Sequence, residues 1–91
     1  MDPTIHINER VDVLPAFYGS GPERLLCVPK RMRYKNRDID FTIFGMRHPT
    51  AKGKRMIHVF EMSDGVNDYR LEFDAESLTW TLVSMVEGHD G

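Results

Sequence analysis

Ninety-one residues, 41% hydrophobic and 29% charged with a formal net charge of −2, describe one globular domain rather than a disordered or membrane-spanning chain. A chain of this length buries roughly 60 to 65% of its unfolded surface, enough for a single modest core with little room for an enclosed cleft. Its one cysteine, Cys27, excludes an internal disulfide, so stability must come from packing, which suits a reducing cytoplasm.

The opening stretch "MDPTIHINERVDVLPAFYGS" breaks every apolar run with Asn, Asp, Glu or Arg and lacks a basic start, so it does not read as a signal peptide. Within it "TIHINERVDVLP" alternates well enough for an edge strand, before Pro15, Gly19, Gly21 and Pro22 interrupt the pattern. Residues 1–25 are therefore expected to be an N-terminal extension, an edge strand or partly disordered. Residues 26–88 form the β domain and 89–91 a tail.

The stretch "RMRYKNRDIDFTI", residues 31–43, places basic residues before acidic ones. A two-residue turn at Asn36-Arg37 sets Lys35 against Asp38, Tyr34 against Ile39, Arg33 against Asp40 and Met32 against Phe41. Every pair is then apolar with apolar or plus with minus. Residues 45–53, "GMRHPTAKG", read as a surface loop. Next, "KRMIHVFEM" and "YRLEFD" flank a turn at Asp64-Gly65, with Met62 opposite Tyr69, Phe60 opposite Leu71, His58 opposite Phe73, Glu61 opposite Arg70 and Arg55 opposite Glu76.

The final element, "LTWTLVSMV", matches strand and helix periodicity equally well, and Asp74 and Gly88 are plausible helix ends. Its β-branched and aromatic residues favour a strand, with Phe73 paired to Leu78, Leu71 beside Trp80 and Tyr69 beside Leu82. The expected fold is thus mostly β, a five-stranded antiparallel meander able to curl into a small barrel. The alternative is α+β, with residues 75–87 helical. One face collects Met32, Tyr34, Ile39, Phe41, Ile43, Met56, Phe60, Met62, Leu71, Phe73, Leu78, Trp80 and Leu82 as the core.

In these registers Ile57, Val59, Val83 and Met85 point to the other face. Either the apolar residues of the N-terminal segment cover them or the patch docks a protein partner or a second copy of the chain. Charge supplies a competing reading, because residues 30–55 carry nine of the twelve basic side chains against two acids, while residues 61–91 carry eight acids against Arg70 alone. Cross-strand pairing accounts for part of this. Lys30, Arg31, Arg37, Arg47, Lys52 and Lys54 are left without assigned partners and, with Tyr34 among them, offer a single-stranded nucleic-acid surface.

Catalytic and metal signals are weak. His6, His48, His58 and His89 are scattered, and in "SDGVND" the glycine follows the first acid directly, unlike a calcium loop. Cys27 sits between Leu26 and Val28 as a buried thiol would. The leading expectation is a non-enzymatic interaction domain without a cofactor, metal or membrane partner, binding a protein or itself. Nucleic-acid binding is the alternative.

Overall fold

The computed structural model describes residues 3–17, 19 and 27–88. It is all β among these residues, with seven antiparallel strands: β1 (Thr4–Phe17), β2 (Cys27–Tyr34), β3 (Arg37–Asp40), β4 (Ile43–Lys52), β5 (Arg55–Ser63), β6 (Asp68–Asp74) and β7 (Thr79–Val86). They form one sheet in the order β3-β2-β1-β7-β6-β5-β4. The mostly β antiparallel expectation holds, with seven strands in place of five and no helix over residues 75–87. No helix among the described residues is long and apolar enough to cross a membrane.

The main topological correction concerns β1. It lies between β2 and β7 and pairs with both, so it is a central strand rather than an edge. Pro15, which cannot donate to a ladder, sits at the register shift after Leu14 and faces Pro29, where the hydrogen-bond pattern is already broken. The irregular structure expected around Gly21 and Pro22, the C-terminal tail 89–91, and the positions of Tyr18 and His89 lie outside the described residues.

The β2–β3 turn falls at Lys35-Asn36, one residue earlier than expected, and both residues have positive φ, 52° and 62°. Arg33 therefore faces Asp38 and Met32 faces Ile39, while Arg31 gains Asp40. Moving the turn by one shifts each partner by two, so every side chain keeps its face. The change also releases Phe41 from the ladder to pack edge-on against Tyr69, with ring centroids 5.6 Å apart.

The β5–β6 hairpin has the expected register from Ser63–Asp68 to Ile57–Asp74, and the ladder ends before Arg55 and Glu76. The β6–β7 hairpin instead pairs Phe73 with Trp80 and Leu71 with Leu82. Asp74 caps this turn rather than a helix: its Oδ1 accepts the amides of Glu76 at 2.9 Å and Ser77 at 3.3 Å. Leu78 consequently lies in the turn, at φ 59° and 73% exposed, instead of in the core. Met56 and Ile43, also expected inside, are exposed too.

Residues 45–52, read as loop, belong to β4. Pro49 is compatible with a strand there because β4 is an edge and the proline nitrogen can face away from β5. The two edges, β3 and β4, are separated in the chain only by Phe41 and Thr42. Phe41 donates its amide to the Lys30 carbonyl and Thr42 donates to that of Ser63, each at 2.9 Å. This curls the sheet until its edges approach, but no β3–β4 ladder closes a barrel.

The core inside the curl joins Val11, Val28, Met32, Phe41, Phe60, Met62, Tyr69, Leu71, Trp80 and Leu82. Burying each large apolar side chain stabilises the fold by about 1.5 to 3 kcal/mol. Trp80 is the aromatic hub, with ring centroids 4.6 Å from Phe73 and 5.5 Å from Phe60.

Candidate functional site

Three register shifts fall in two adjacent rows of the sheet. On β1 two residues, Ile7 and Asn8, intervene between His6 and Glu9, with Asn8 at φ 54°. On β7 Val83 is the extra residue, and on β4 it is Gly45. The β1 and β7 shifts lie between the cross-strand rows Glu9, Leu82, Leu71, Phe60, Arg47 and His6, Ser84, Arg70, Glu61, Met46, and the β4 shift follows one row on, between Met46–Glu61 and Phe44–Met62. A bulge bends and further twists its strand, so three in adjacent rows fold the sheet along a crease. Gly45 is required for this geometry, because a Cβ there would stand 2.8 Å from the Glu61 carbonyl oxygen.

Beside the crease lies a groove of about 670 Å³ spanning β1, β7, β6, β5 and β4. Thr4, His6, Ser84, Arg70, Glu61 and Met46 line it from the face opposite the core, and Met62, Tyr69 and Met85, which pack in or against the core, also border it. The lining is graded. Ile43 and Met46, 53% and 52% exposed, make an apolar end on β4, while Thr4 and His6 of β1 and Ser84 of β7 make a polar end. Between them Arg70 donates to Glu61 at 3.1 Å, and both side chains remain substantially exposed.

The β5–β6 turn along one side of the groove is held by its own side chains. Asp64 Oδ1 accepts the amides of Val66 and Asn67 at 2.8 and 2.7 Å, Oδ2 accepts the Tyr69 hydroxyl at 2.9 Å, and Asn67 Oδ1 accepts the Gly88 amide at 3.0 Å. Burial would raise the pKa of Asp64, but these donors outweigh it and hold the carboxyl below its ordinary value. Tyr69 is pushed the other way, chiefly by burial and, after an opposing hydrogen bond from Asn67, by donating to the Asp64 carboxylate and by its charge, with Arg37 opposing last.

The expected outward patch is divided. Val83 and Met85 contribute to the groove lining, although the bulge turns the Met85 side chain toward the core opposite Tyr69. Ile57 and Val59 do face away from the core cluster, but they are 6% and 4% exposed and so present no apolar surface. Their neighbours on β4 are Thr50 and His48 and on β6 Asp74 and Glu72, and the Lys52–Glu72 ion pair at 2.8 Å reaches over β5. Long flanking side chains can roof apolar residues in this way.

The candidate nucleic-acid cations do not form one patch. Arg31 is paired with Asp40 at 2.6 Å and Lys52 with Glu72. Arg47 is half-buried with its guanidinium 3.1 Å from His58 Nδ1; arginine only donates, so Nδ1 accepts and the imidazole proton is on Nε2. Lys30 is exposed on β2. Arg37 lies at the β2–β3 turn, within the electrostatic reach of Tyr69, whereas Lys54 occupies the β4–β5 turn at the other end of the sheet. Arg55, expected opposite Glu76, bonds Asp74 at 2.7 Å and approaches Glu76 at 3.7 Å.

Among the described residues no group of three or more His, Cys, Asp or Glu could hold a metal ion. Burial raises the pKa of the half-buried Cys27 thiol, and nearby Arg47 only partly offsets this, an environment that does not activate a nucleophile. Ile43, Gly45 and His6 were not singled out as site residues by their sequence pattern, whereas the flexible thioethers of Met46 and Met85 already suggested an adaptable binding surface. The available hint was an isolated glycine next to apolar residues, which commonly marks a bulge or a close backbone approach. The chain matches no protein-family model, no curated protein and no solved structure.

Proposed function

We propose that this domain is a non-catalytic protein-interaction module whose docking surface is the creased groove. The observation that supports it best is the pairing of a preformed cavity of about 670 Å³ with the exposed apolar side chains of Ile43 and Met46 at its rim. Five strands spaced about 4.8 Å apart give a groove about 19 Å long, room for roughly six residues of extended chain at about 3.3 Å each. The partner is a short segment with an apolar anchor for the Ile43–Met46 end and polar groups for His6, Arg70 and Ser84.

Side-chain docking suits this sheet better than strand addition. β3 is only four residues long and carries Arg37, Asp38 and Asp40, while β4 is interrupted by the Gly45 bulge and by Pro49. These features discourage another strand from pairing with either edge. The nucleic-acid alternative has less support because Arg31 and Lys52 are already matched to carboxylates and Arg37 and Lys54 lie at opposite ends. The unpaired, half-buried Cys27 fits a reducing compartment, and we place the protein in the cytoplasm on that ground.

The test is selection of short peptides from a random displayed library, followed by calorimetric titration with the wild-type domain, Met46→Glu and Leu78→Glu. The proposal expects binding that Met46→Glu weakens at least tenfold and Leu78→Glu leaves unchanged. Failure to select any peptide, or equal sensitivity to both substitutions, contradicts it. Association with single-stranded RNA or DNA that falls steeply as salt rises would favour the alternative.

A further inference from the structure

No further inference is drawn: the strongest candidate, the polar depression of about 230 Å³ between β1, β7, β6 and β5, carries nothing because its carboxylates Glu72 and Asp74 already pair with Lys52 and Arg55 and Arg10 by itself does not specify a ligand.

Discussion

Gly45→Ala tests the crease at its tightest contact. The new methyl group would stand 2.8 Å from the Glu61 carbonyl oxygen, well inside the 3.4 Å at which ordinary contact begins. The obstacle is backbone of β5, a strand paired on both sides, so the edge strand β4 must yield. Strain from one added carbon in a close contact costs about 1 to 3 kcal/mol. For a domain of this size each kcal/mol lowers Tm by about 4 to 8 °C. Urea unfolding followed by circular dichroism should show a lower midpoint at unchanged slope, and amide shifts should change most at Met46, Glu61 and Arg70. Gly53→Ala is the comparison: a methyl group there would meet no atom within 4 Å, but φ is 65°, so the domain should lose only about 1 kcal/mol, from backbone conformation. A Gly45→Ala protein within about 0.5 kcal/mol of wild type, with undisturbed shifts around the groove, would refute the close-approach reasoning.

Other consequences can be measured in the same way. Leu71→Ala, at a fully buried site, should cost about 2 to 5 kcal/mol in chemical denaturation. Leu78→Gly should stabilise the domain by about 1 kcal/mol, because an exposed leucine at φ 59° is relieved of left-handed strain; an unchanged or lower Tm would contradict that geometry. Asp64 has a folded-state pKa below its unfolded value of 3.8, so its contribution is complete above that value and disappears as pH falls through the folded one. Asp64→Asn should therefore flatten the acid side of the stability–pH curve. Tyr69 is shifted upward, so its contribution is present below pH 10.0 and is lost as pH rises through its folded pKa, an alkaline slope that Tyr69→Phe should remove.

Local pairing was readable where the turn and the side chains agreed. Asp64-Gly65, together with the matches Glu61–Arg70 and Phe60–Leu71, defined the β5–β6 register correctly. For β2–β3 both registers match charge with charge and Met32 with an apolar partner, although the observed one sets Tyr34 opposite Arg37, and the tertiary demand on Phe41 separates them. The charge reading survives in modified form: Arg31, Arg33, Arg55, Arg70 and Lys52 all meet carboxylates across the sheet. The central place of β1 was hidden because its partner β7 lies at the other end of the chain, and alternation within a strand carries no information about distant neighbours. Pro49 disguised β4 as a loop, since its tolerance depends on β4 being an edge. The groove was least legible of all: Val83 reverses the alternation beyond Leu82, so a strict two-residue period assigns Met85 to the wrong face.

Cross-strand nuclear Overhauser contacts between β6 and β7 test the crease most directly. Contacts of Leu71 with Leu82, Arg70 with Ser84 and Tyr69 with Met85, leaving Val83 unmatched, are the predicted result. An unbroken ladder with Arg70 opposite Val83 and Tyr69 opposite Ser84 would remove the bulge, and with it the groove on which the proposed binding rests.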